Sequence, residues 1–186
     1  MRRVEYPLLF GKISVEALIW IIVLVIIAIP IVKFLSLPSH ADSKRKTSCT
    51  SNQKQIATAI MMYVQENNET LPPAENWIKA VDVRGKILNC PSSRDKDRSY
   101  AYNVNISNVP YEKLYGDEGE EFFLTIFTAD SDAKNNIMRN EKDITFRHKG
   151  KKKERLATVS FTDGHVAMVE AKKITNFRFK IKDKKP

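Results

Sequence analysis

Residues 17–32 read ALIWIIVLVIIAIPIV, the one membrane-length apolar run in the chain, and Glu16 stands immediately before it. A run of this length and composition, with its flanks, is a candidate membrane-spanning helix over residues 12–37. The carboxylate needs compensation, because an acidic residue at the centre of a spanning helix costs roughly 3 kcal/mol and less towards the end. A signal anchor with an interfacial Glu accounts for the segment as it stands. A cleaved secretory signal fits less well: the run exceeds a typical signal core, and no small-x-small site follows it cleanly. The flanks do not set an orientation. Arg2, Arg3 and Lys12 precede the run, and Lys33, Lys44, Arg45 and Lys46 follow it, so the lysine and arginine bias has no clear sign.

Beyond the anchor, residues 38–186 suffice for one domain with a modest core. The formal net charge of +9 favours anionic partners such as nucleic acid, acidic polysaccharide or lipid headgroups. The two cysteines, Cys49 and Cys90, form one disulfide in an oxidising compartment or stay as free thiols in a reducing one. A zinc site would need ligands beyond these two, and no CxxC or HxxxH spacing supplies them.

Periodicity predicts the elements. Ile56, Ala59, Ile60, Tyr63 and Val64 make an apolar stripe on a helix over about residues 43–67. Asn67-Asn68 and Pro72-Pro73 end it. Residues 76–83, with Trp77, predict a short second helix closed by Gly85, and residues 89–119 read as turn-rich. Strands are predicted over residues 122–129, ending at Asp130, over 143–147, over 156–162 and 165–169, and in a last alternating run through Phe177, Phe179 and Ile181. Asp163-Gly164 between two β-rich runs predicts a hairpin with a type I′ turn. Helices first and strands after give an α+β fold, with the helix packed on an antiparallel sheet.

The N-terminal segment Gly11-Lys12-Ile13-Ser14-Val15-Glu16, preceded by a basic leader and followed by an apolar helix, resembles the processing site of type IV pilins and pseudopilins. Two positions depart from that pattern: Lys12 stands where the family has Phe, and Pro30 lies shallower than the family's helix proline. The rest of the chain adds Ser48-Cys49 through Ile56, Leu71-Pro72-Pro73, Trp77, Cys90-Pro91-Ser92 and Ser99 through Asn103. Ala129-Asp130-Ser131, Arg147-His148 and Phe161-Thr162-Asp163-Gly164-His165 follow. In this order the pieces look like the pseudopilin-like proteins of the planctomycete type, whose C-terminal signature is a His followed at a distance by Asp-Gly. Here the intervening stretch, residues 149–162, is longer, and the excess coincides with the basic run 149–155, which implies a lengthened hairpin loop.

The resemblance implies a pilin-like fold, residues 1–11 as a leader cut after Gly11 by a prepilin peptidase, and a new amine at Lys12 that meets Glu16 of a neighbouring subunit. It also implies a single-pass protein of the inner (cytoplasmic) membrane, with its C-terminal domain periplasmic or extracellular, that partners other pilin or pseudopilin subunits in a type IV pilus or a type II secretion-like filament. Pseudopilins often carry calcium in a C-terminal loop, and Asp130, His148, Asp163 and His165 would converge for a metal if they met at one end of the sheet. Turn chemistry and strand capping explain the same residues without an ion. No Gly-rich phosphate loop, G-x-S-x-G elbow or HExxH helix is present, so the expectation is a structural protein, not an enzyme, with no cofactor. The alternative is a monomeric anchored module binding DNA or an acidic glycan through Lys151, Lys152, Lys153 and Arg155. Basic residues also run through 172–185 between Phe177 and Phe179, a pattern that equally suits a solvated edge strand.

Overall fold

One helix, α1 (Val15–Ser36), takes up the apolar run. The computed structural model describes residues 14–36, 40–93, 99–114, 125–151 and 154–179, and the chain divides into two compact units, Met1–His40 and Ala41–Pro186. Ser14 opens α1 as its N-cap, its hydroxyl accepting the Ala17 N–H at 3.3 Å. Among the described residues α1 is the one helix long and apolar enough to cross a membrane. Its large apolar side chains, from Val15 to Val32, are exposed. Pro30 lies inside it, an interior position that spanning helices tolerate better than soluble ones.

All of α2 (His40–Glu66) but its first residue belongs to the second unit. The predicted stripe is present: Ile56, Ile60 and Val64 are buried, with Ala57 beside them. The same face continues one turn at a time towards the N-terminus through Gln53 and Cys49, both fully buried. The helix ends where expected. Asn68 and Glu69 adopt positive φ (51° and 53°), and the Glu69 N–H turns back to the Val64 carbonyl at 2.9 Å, a left-handed C-terminal close. The second helix is shorter than predicted, a 3-10 turn (Ala74–Asn76) leading into α3 (Trp77–Ala80). Gly85, at φ +70°, opens a further 3-10 turn, Gly85–Leu88. Trp77 is nearly fully buried, stacks on Tyr102 with ring centroids 5.8 Å apart, and donates its indole N–H to the Asn136 carbonyl at 2.9 Å.

Among the described residues six strands form one sheet: β1 (Tyr100–Asn103), β2 (Ile126–Asp130), β3 (Ile137–Met138), β4 (His148–Lys149), β5 (Arg155–Phe161) and β6 (Val166–Glu170). The order runs β3-β1-β2-β5-β4, with β6 also on β5. The sheet is mixed, not antiparallel throughout, because β3 runs parallel to β1. The expectation of a turn-rich stretch over 89–119 missed β1, whose four residues are all buried; a strand covered on both faces shows no polar alternation. The strand predicted over 143–147 lies later: Glu141–Asp143 form a 3-10 turn and the pairing residues are His148 and Lys149. The described part of the last alternating run, Phe177 to Phe179, forms no strand either. Ala171–Asn176 form a 3-10 helix, and Arg178 makes a single parallel bridge to Thr125. Residues 122–124 and Ile181 lie outside the described residues.

The β5–β6 hairpin is where predicted, but its turn is not type I′. Asp163 has no positive φ; Gly164 alone does, at +80°. Gly164 N–H bonds the Phe161 carbonyl at 2.8 Å and Phe161 N–H bonds the His165 carbonyl at 3.0 Å. This is the three-residue loop in which a type I turn is followed by a left-handed residue. The core has two parts. One joins α2, α3 and the disulfide loop to Tyr100, Tyr102 and Phe127; the other holds Ala101, Ile126, Ala129, Val159 and Phe161. A register shift between Ile126 and Thr128 lets consecutive residues serve one side. Phe127 enters the helix-side cluster, while Thr128 donates to the Gln53 side-chain oxygen on α2.

Candidate functional site: a buried Asp–His–disulfide centre

The site grows from a gap in a ladder. β5 carries β6 along one edge, and β4 then β2 along the other: Leu156 pairs with His148, and Val159 to Phe161 pair with β2. Thr158 lies opposite the gap between the two short strands. Its N–H is taken by Asp130 Oδ2 at 2.7 Å and its carbonyl by Gln53 Nε2 at 3.3 Å. Two side chains thus stand in for a missing strand, as a buried backbone requires.

Asp130 ends β2 and His148 begins β4, so the gap brings them face to face. His148 Nε2 lies 3.1 Å from Asp130 Oδ2, and both side chains are fully buried. Arg147, with 6% of its side chain exposed, places Nε 3.7 Å from Asp130 Oδ1 and a terminal nitrogen 3.0 Å from Asp132. The buried carboxylate therefore has a guanidinium, an imidazole and an amide around it, the company a desolvated charge needs. Satisfaction is incomplete: Asp130 Oδ1, Arg147 Nε and His148 Nδ1 have no hydrogen-bond partner among the described residues. The Tyr100 phenol, on the strand next to β2, is pushed well above its usual range by burial, with the Asp130 charge adding to the shift.

On the helix side of His148 sit the two cysteines. Cys49 and Cys90 are disulfide-bonded, with Cα atoms 5.1 Å apart, as one of the two sequence expectations had it. Cys90 Sγ is 3.6 Å from His148 Nε2. The two sulfurs and a His148 ring nitrogen lie within 4.8 Å of one another. Sequence spacing could not show this third group, because His148 is 58 residues from Cys90 and reaches it only through the β4–β5 pairing.

The four residues singled out for a metal do not converge. Asp163 and His165 form their own exposed pair at the β5–β6 turn, Nδ1 to Oδ1 at 2.6 Å, with the imidazole stacked on Phe161 at 4.3 Å. His148 faces Leu156 near the start of β5, whereas Asp163 lies beyond its end at Phe161. At about 3.4 Å per residue that is on the order of 17 Å along the strand. Each pair offers one carboxylate beside a nitrogen, not the oxygen-rich set calcium takes. The physical cause is the order of strands on β5, which puts the two His/Asp pairs at opposite ends.

The remaining candidates fall at two places. Glu16 occupies the first turn of α1, two residues after the Ser14 cap, where the helix dipole favours a carboxylate. Gly11 and Lys12 lie outside the described residues. Lys151 and Arg155 are exposed at the β4–β5 hairpin, which Gly150 N–H to Glu154 carbonyl closes at 2.7 Å, while Lys152 and Lys153 lie outside the described residues. Arg155 donates Nε to the Phe146 carbonyl at 2.8 Å. Comparison of the chain with known protein families, curated proteins and solved structures finds no match.

Proposed function

We propose that this chain is a membrane-anchored, pseudopilin-like structural subunit of a type IV pilus or type II secretion-like filament that acts by assembly. The observation that carries the reading is α1: a 22-residue helix whose apolar side chains are exposed and whose first turn holds a carboxylate. Such a helix is stable in lipid or against other apolar helices, and the acidic group is useful if a neighbouring cation meets it. The second unit supports the reading as a head built to hold its shape. α2 lies on the sheet, a disulfide ties it to the loop at Cys90, and a buried polar seam fixes its register. In this reading Gly11 is the cleavage position, the amine of Lys12 meets Glu16 of the next subunit, and the head lies outside the cytoplasm.

The mature N-terminus tests it. Intact-mass and N-terminal peptide measurements on protein from membranes that contain a prepilin peptidase should show a chain beginning at Lys12. An intact Met1 under those conditions removes the processing step and, with it, the free amine on which the Glu16 contact depends.

A further inference from the structure

We propose that Cys49, Cys90 and His148 form a zinc site in the reduced protein, so that disulfide and metal are alternative fastenings at one point of the fold. Three observations lead there. The ligand atoms of these residues lie within 4.8 Å of one another. All three side chains are buried, which gives the closed, dry surroundings of a structural site. His148 Nε2 stands 3.6 Å from Cys90 Sγ. A tetrahedral zinc with Zn–N of about 2.1 Å and Zn–S of about 2.3 Å separates N from S by about 3.6 Å, so this edge of the polyhedron is already in place. Asp130 Oδ2, 3.1 Å from the same nitrogen, is a carboxylate oxygen in reach of the fourth position.

Charge agrees with this assignment. Two thiolates and the Asp130 carboxylate total three negative charges. A divalent cation and the Arg147 guanidinium, whose Nε is 3.7 Å from Asp130, supply three positive ones. The buried cluster is neutral with the metal in place. With the disulfide in place the Asp130 carboxylate and the Arg147 guanidinium balance each other. Thiolate and imidazole together select zinc over calcium or magnesium.

The interconversion balances as follows. An external dithiol gives two electrons and two protons to the Cys49–Cys90 bond and leaves as its own disulfide. The S–S bond breaks and two protein thiols form. Zinc then displaces both thiol protons to solvent, and the ring proton that Nε2 shares with Asp130 Oδ2 leaves that nitrogen, so that His148 ligates through the Nε2 lone pair as the Nδ1–H imidazole. A chain folding before its cysteines are oxidised would thus have α2 tied to the Cys90 loop by metal.

The test uses the full chain in detergent micelles, reduced with a dithiol that is then removed under anaerobic conditions. Titration with Co(II) should give one ion per chain, with a thiolate-to-cobalt charge-transfer band and the visible bands of tetrahedral cobalt, all bleached by Zn(II). The oxidised protein should give neither band. His148→Ala should weaken cobalt binding by more than about tenfold, since even residues outside the ligand set are worth about 10–100-fold in metal affinity. Zn(II) should also slow alkylation of both Cys49 and Cys90 in the reduced wild-type protein, a readout that needs no variant. The proposal is overturned if reduced protein with two titratable thiols takes up no cobalt, or if a folded His148→Ala protein binds as tightly as wild type. Should that variant not fold, equal alkylation rates with and without Zn(II) overturn it.

Discussion

Asp130 meets the Thr158 N–H, the His148 imidazole and the Arg147 guanidinium from one fully buried position. Removing one member of a buried charged pair leaves the others desolvated without compensation, at about 3–5 kcal/mol. Asp130→Ala should therefore lower the unfolding free energy of the full chain by about that amount, seen as a shift in urea midpoint at unchanged slope. A loss below about 1 kcal/mol would mean that the carboxylate is a passive strand end. The site was partly legible at this scale. Asp130 and His148 stand out in the sequence as chemistry-bearing residues, and Cys49 and Cys90 as a potential pair. Their union does not, because it depends on which residue of β5 each short strand faces. Asp163 and His165 attract attention by being two apart in sequence, and that closeness accounts for their pairing with each other. Gln53 is hidden for another reason. A polar residue on an apolar stripe reads as a face boundary until the sheet beneath it shows that Gln53 supplies the donor for the Thr158 carbonyl.

Elements with a strong local signature were readable, and those defined by partners were not. The α2 stripe and the β5–β6 hairpin are set by period and by Asp-Gly turn chemistry. β1, β3 and β4 are two to four residues long and exist because neighbouring strands hold them. The hairpin turn itself gives a sharp expectation. Gly164 has φ +80° and open space where a Cβ would go, so Gly164→Ala should cost about 1–2 kcal/mol from the backbone conformation alone. Gly164→Asn should cost less, since Asn tolerates the left-handed region; melting temperatures of the two variants against wild type check the order. The Cys49–Cys90 bond acts on α2 as a whole. It closes a loop with a sequence separation of 41, worth about 4 kcal/mol in the chain-entropy account. Protein isolated without reductant should therefore have no alkylatable thiol, and Cys49→Ser/Cys90→Ser should unfold at correspondingly lower urea. Two reactive thiols in unreduced protein would contradict the bond.

At the scale of the whole molecule the question is whether the chain works in company or alone. Two measurements separate assembly from solitary binding. The first concerns the exposed basic hairpin with Lys151 and Arg155. A polyanion-binding module would hold DNA with an affinity that falls steeply as salt rises, through release of counterions, and neutralising Lys151, Lys152, Lys153 and Arg155 would weaken it regardless of base sequence. The assembly reading does not require such binding, so a wild-type chain with no salt-sensitive DNA binding at low ionic strength would remove the DNA-binding alternative and move weight to assembly. The second concerns Glu16. Its place in the first turn of α1 gives it about 0.3–1 kcal/mol from the helix dipole, less than the roughly 3 kcal/mol an acidic residue costs deep in a spanning helix. Without a partner the carboxylate is then neutral to unfavourable in the membrane, and Glu16→Ala should insert as well as wild type or better. With a neighbour's amine as its partner, the same substitution should sharply reduce crosslinking between copies while insertion is unchanged. Equal crosslinking of the two proteins in the membrane, at equal expression, would count against assembly and leave Glu16 as an interfacial residue answered by its own helix.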